Sequence, residues 1–134
     1  MNALRFFLGF LLRILVFSLV LAGVHYLLTQ LTALTPEVST VFKIHVFVVA
    51  VTVLSFAVLV MIGRIDHSKI GFTFLGLVIL KMMVSFAFLY PYLIDTMVNT
   101  NILVFNFFIV YFLFLAWEVR EVYLLIGKGA RLNG

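Results

Sequence analysis

The chain contains no cysteine. That excludes disulfides, thiolate nucleophiles and cysteine-based metal sites together. It also removes lipid attachment at Leu19-Val20-Leu21-Ala22-Gly23, which is shaped like a lipoprotein signal but has no cysteine after it. Charge is scarce: 10% of residues are charged, against about 25% in soluble domains. No charge block exceeds two residues, and only two prolines and eight glycines occur, so a long disordered or low-complexity segment is excluded. Enzyme signatures are missing as well. There is no HExxH, P-loop or GxSxG motif, and no Ser/His/Asp set falls at one level of the chain. The sequence therefore points to a non-catalytic protein without a cofactor motif.

What the chain has in excess is apolar surface. Hydrophobic residues make up 66% of its 134 residues. A core of this size cannot hide that much surface from water, so the solvent must be lipid. Four apolar runs are each long enough to cross a bilayer as a helix. They predict helices near residues 6–31, 41–62, 70–90 and 102–126, within a single integral membrane domain spanning residues 1–134. Valine, isoleucine and phenylalanine are abundant, but in lipid the need to satisfy backbone hydrogen bonds internally overrides their strand preference. The first run, flanked by Arg5 and Arg13, resembles a signal peptide. Its apolar stretch is at the upper limit for one and lacks a small-x-small cleavage site, so a retained helix is expected.

Breaks between the runs are short. Pro36 disfavours helix at Thr35, which is placed to cap the next helix. The segment from Gly63 to Gly71 carries Arg64, Asp66, His67 and Lys69 and belongs in water. Pro91 is expected to close the third helix, with a turn from Asp95 to Asn101. Short connections make neighbours antiparallel. The predicted fold class is all-α: a polytopic membrane protein built as an antiparallel four-helix transmembrane bundle.

The net charge is +4. The basic residues flank the apolar runs and form no stripe or recognition motif, so they mark topology and contact with an anionic lipid bilayer rather than nucleic acid. Arg5, Arg13, Arg64, Lys69, Arg120, Lys128 and Arg131 collect on one side, and Lys43 stands alone on the other. This bias places both termini in the cytoplasm. Trp117 and Tyr123 are then expected near the cytoplasmic interface, and Tyr90 and Tyr92 near the outer one.

Lys81 is the strongest functional clue. It lies eleven residues beyond Ile70, roughly 16 Å along a helix, where an unpaired ammonium costs several kcal/mol. It is expected to face protein, either pairing internally or contacting an ion, lipid or partner. Glu118 and Glu121 are its candidate partners, and Arg13 is the rival cation for them. The run Trp117-Glu118-Val119-Arg120-Glu121 reads equally well as an interfacial helix end with solvated charges. His25 and His45 share the outer side of the bundle. With Glu37 they form too thin a set for metal, so interface hydrogen bonding is expected. His67 beside Asp66 reads as a solvated loop. Ser18 with Ala22, and Thr73 with Gly76, are small-residue pairs that allow close helix approach, and Asn101 and Asn106 can hydrogen-bond between helices.

The four-helix layout, basic termini and a lysine inside the third helix resemble the ATP synthase protein I family of small bacterial membrane proteins. That family often carries Gly-Glu-x-x-Lys at this place. Here the segment reads Gly76-Leu77-Val78-Ile79-Leu80-Lys81: the lysine matches, valine stands at the acidic position, and the glycine is displaced by one. The resemblance implies an accessory protein of the bacterial inner membrane that assists assembly of the ATP synthase rotor ring, with the synthase's membrane subunits as partners. The opening Leu4-Arg5-Phe6-Phe7-Leu8-Gly9 resembles GtrA-like polysaccharide proteins, whose later Asn-Arg-x-Trp-x-Phe-type signature is absent. A small transporter or flippase subunit, or a structural subunit of another membrane complex, is therefore the alternative.

Overall fold

A computed structural model describes residues 3–34 and 36–132, with side chains as far as residue 127. Four helices follow in order: α1 (Ala3–Leu31), α2 (Val38–Ile65), α3 (Ile70–Leu93) and α4 (Thr100–Leu132). There is no strand among the described residues. All four helices are long and apolar enough to cross a membrane, and a four-helix bundle of the expected class fits them.

Most helix ends run a few residues past the bounds expected from the sequence, while the end of α1 and the start of α3 fall on them. α2 begins at Val38, three residues before the expected start. The Glu37 carbonyl accepts from the amides of Thr40 at 2.9 Å and Val41 at 3.0 Å, and no side chain caps this end. The expected cap, Thr35, lies outside the described residues. Pro91 does not close α3: the helix continues through it to Leu93, and the Ile94 amide bonds to the Tyr90 carbonyl at 3.3 Å. In a last turn, proline forfeits only one ladder bond, so the cost stays small. Asn99 starts α4, its side-chain oxygen accepting from the Ile102 amide at 3.3 Å.

The expected loop between α2 and α3 contracts to a single 3-10 turn, His67–Lys69. Asp66 organises it. Its carboxylate accepts from the Ser68 hydroxyl at 2.6 Å and the Ser68 amide at 3.1 Å, and pairs with Lys69 at 3.4 Å. The Ser68 hydroxyl, then the Ser68 amide, hold this carboxyl below its ordinary range; desolvation opposes them, and Lys69 adds to the lowering.

The bundle is skewed rather than square. α2 and α4 pack closely with each other, α3 packs against both, and the close backbone packing of α1 is with α2. Large rings hold α1 off α4. Phe17 stacks on Trp117 at 5.5 Å and meets Phe114 edge-on at 5.1 Å, while Phe10 lies against Phe56 at 3.8 Å and Trp117 at 5.4 Å. Trp117 is thus half-buried between helices. Farther along, a groove of about 300 Å³ opens between α1 and α4, its lining including Leu21, Val24, Leu28, Phe105, Ile109 and Leu113.

Polarity is distributed inside-out. Outward faces carry Leu12, Leu19, Leu54, Phe72, Met83 and Phe105, each more than half exposed. The interior holds Ser18, His25, His45, Thr52, Ser55, Lys81, Ser85, Asn106, Glu118 and Glu121. In water this arrangement would be unstable. In lipid, apolar residues gain nothing by hiding from tails as apolar as themselves, and polar side chains find partners only in the protein.

Candidate functional site

The interior polar groups fall into two sets at different levels of the bundle. The first is a double ion pair centred on α4. Lys81 Nζ donates to Glu118 Oε2, and Ser55 Oγ donates to Glu118 Oε1 at 3.0 Å. One carboxylate thereby ties α4 to both α3 and α2. One turn on, Arg13 grips Glu121 with two bonds, Nε to Oε1 at 3.0 Å and Nη2 to Oε2 at 2.6 Å. That bidentate fork ties α1 to α4. Arg120 adds a third bond to Glu121 Oε1 at 3.1 Å.

Helical geometry explains how neighbours on one helix serve different partners. Glu118 and Glu121 are three residues apart and so point about 60° apart around α4. One looks toward α2 and α3, the other toward α1. Lys81 sits on α3 in line with buried Ser85, four residues later. Arg13 lies about 15 Å from the start of α1 by helical rise. A side chain at Gly9 would press on it: a Cβ there would stand 3.2 Å from Arg13 Nη1.

Both carboxylates are fully buried, at 0% exposure, and Lys81 is 5% exposed. The reading of residues 117–121 as a helix end with solvated charges is therefore corrected for Glu118 and Glu121, while Arg120 stays exposed. Lys81 and Arg13 are not rivals for one acid, since each has its own. Charges removed from water and lipid headgroups repay their desolvation only when closely paired and otherwise hydrogen-bonded. Here each buried carboxylate has a cation from another helix, and Glu121 has exposed Arg120 as well.

The second set joins α1, α2 and α4 in the other half of the bundle. His25 Nδ1 lies 3.0 Å from His45 Nε2, and His25 Nε2 lies 2.9 Å from Asn106 Oδ1. Asn106 Nδ2 donates to the carbonyls of Leu34 at 2.9 Å and Ile102 at 2.8 Å. When both rings are neutral, these bonds set their tautomers. With the Asn106 amide occupied as donor, its oxygen must accept, so His25 carries its proton on Nε2. His25 Nδ1 then accepts from His45 Nε2–H. Glu37 is exposed and takes no part, and no metal-holding group of three such side chains occurs among the described residues.

The other residues singled out in the sequence do not converge on a site. Ser18 is buried and donates to its own helix at Leu15 O, 3.0 Å away, beside half-buried Ala22. Thr73 is half-buried. Gly76 is exposed, with no atom of the chain near the place of a Cβ. No helix of this chain enters the expected groove there, which corrects that expectation for packing within the chain. Asn101 faces outward.

Ser55, Ser85, Tyr111 and Gly9 were not found by sequence reasoning. A signal existed for Ser55. His45, Thr52 and Ser55 repeat at seven- and three-residue intervals in an otherwise apolar helix, which is one inward stripe. No protein family, curated protein or solved structure shows detectable similarity to this chain.

Proposed function

We propose that this chain is a non-catalytic accessory subunit of the bacterial inner membrane, with both termini in the cytoplasm, that packs beside another membrane protein. Assembly of an ATP synthase rotor ring is the leading case. The observation that carries the reading is the closure of the charged set: Lys81, Glu118, Arg13 and Glu121 are bonded to one another within the chain. Their polarity serves cohesion between helices. The surfaces left for contact are the apolar outer faces, including α3 around Gly76, where open space lets a second helix come close.

The cytoplasmic placement of the termini is supported by seven basic residues on one side against Lys43 on the other. The choice of the synthase rests on the four-helix layout with Lys81 in its third helix. One observation favours the transporter reading instead: ionisable groups are buried in both halves of the bundle, Lys81 and Glu118 in one and His25 and His45 in the other. Deleting the gene and measuring assembled rotor ring separates the two. A loss of ring supports the accessory role. Normal ring, together with purified protein that moves a solute across liposomes, supports transport.

A further inference from the structure

Beside the Lys81–Glu118 pair lies a small cavity of about 10 Å³, whose walls include Thr52, Lys81, Ser85, Tyr111 and Glu118. Two of these walls present hydroxyl groups in need of a partner: Ser85 Oγ and Tyr111 Oη are buried and have no hydrogen bond within the protein. Three helices supply the polar lining. Thr52 comes from α2, Lys81 and Ser85 from α3, and Tyr111 and Glu118 from α4.

We infer that this cavity is a binding site for one structural water molecule that hydrates the buried Lys81–Glu118 ion pair. Volume, polarity and charge agree. A single water needs roughly 10–15 Å³ of such space and two to four polar partners. Ser85 Oγ, Tyr111 Oη and the ammonium of Lys81 supply them. Lys81 carries three N–H donors, of which Glu118 takes one, so another is free to donate to the water. The water in turn donates to Ser85 Oγ and accepts from Tyr111 or donates to it. The ammonium wall disfavours a metal cation, and the volume excludes any organic ligand.

The site changes what the ion pair is. A dry Lys–Glu contact satisfies one ammonium proton and leaves the others facing carbon. The hydrated contact satisfies more of them and extends one hydrogen-bonded unit across α2, α3 and α4. Two hydroxyls that would otherwise be buried without partners become part of the bonding.

The test uses the full chain in lipid bilayers, with lysine labelled by ¹⁵N. Magnetisation transferred from water to the Lys81 ammonium is measured by solid-state NMR, the signal being assigned by its loss in Lys81→Arg. Early transfer to Lys81 is expected in the native chain, falling by more than half in Ser85→Val, whose methyl groups fill the cavity. No early transfer in the native chain, or transfer unchanged in Ser85→Val, overturns the site. Thermal stability of the unlabelled chain gives a second, independent readout. Tyr111→Phe and Ser85→Ala lower Tm if the hydroxyls bond a water. A Tm that rises or stays level shows that they had no partner to lose.

Discussion

Lys81 and Glu118 meet in the interior of the bundle, from two different helices, at a place where neither bulk water nor lipid reaches the carboxylate. The contact accounts for the presence of a lysine in the middle of an apolar helix. It also ties α4 to α3 at the level where Ser55 ties it to α2.

The Arg13–Glu121 pair should respond unevenly to loss of its members. Glu121 is fully buried, whereas the Arg13 side chain is 39% exposed. Arg13→Met leaves a buried carboxylate held only by the more exposed Arg120. Glu121→Gln leaves a guanidinium that can reach toward the headgroups. Unfolding in mixed micelles should therefore show Arg13→Met costing about 2 kcal/mol and Glu121→Gln about 1 kcal/mol, both below a fully buried pair because of Arg13's exposure.

The histidine pair makes a spectroscopic prediction. Nitrogen shifts should report both His25 and His45 as Nε2–H tautomers. Asn106→Leu removes the acceptor for His25 and the donor to Leu34 and Ile102. It should cost about 1–3 kcal/mol and shift the His25 ring signals. Unmoved His25 signals would separate Asn106 from the network.

Much of the architecture was legible in the sequence because lipid leaves few options: a long apolar run must be a helix, and short connections make neighbours antiparallel. Lys81 could be singled out because a buried charge in such a run is conspicuous. Its partner could only be narrowed to two acids, since Glu118 and Glu121 lie within one turn and the choice depends on how α4 is rotated. The same rotation hid Tyr111, which reads from sequence as one more aromatic. Pro91 misled because its effect depends on whether a helix has one turn left or several. Gly76 misled because small residues invite close approach without saying whether the visitor belongs to this chain.

Acid should loosen the turn between α2 and α3. The Asp66 carboxyl is held below its ordinary range by Ser68. Its contribution is fully present above the unfolded carboxyl's pKa and is lost as pH falls through the lower folded value. The Ser68 amide signal should therefore titrate below the usual aspartate range, and Asp66→Asn should abolish that step. Titration at the usual aspartate position would show that the turn does not hold the carboxylate.

Orientation is checked by single-cysteine labelling, which the absence of native cysteine makes clean. Ser68 is exposed in the turn that shares its side with Arg64 and Lys69. A Ser68→Cys chain should react with an impermeant thiol reagent only after the cytoplasmic face is opened. Labelling of intact cells from outside would reverse the topology.

That buried charge in this bundle serves cohesion between helices is tested most directly by a double-mutant cycle on Lys81 and Glu118, read as unfolding free energy in bilayers or mixed micelles. Each single change, Lys81→Met or Glu118→Gln, strands a partner in the interior and should cost about 3–5 kcal/mol. The double variant strands neither, and the side-chain amide introduced by Glu118→Gln keeps an acceptor for Ser55, so it should lose far less than either single variant. Single losses that simply add in the double variant would contradict the pairing and release Lys81 for another role.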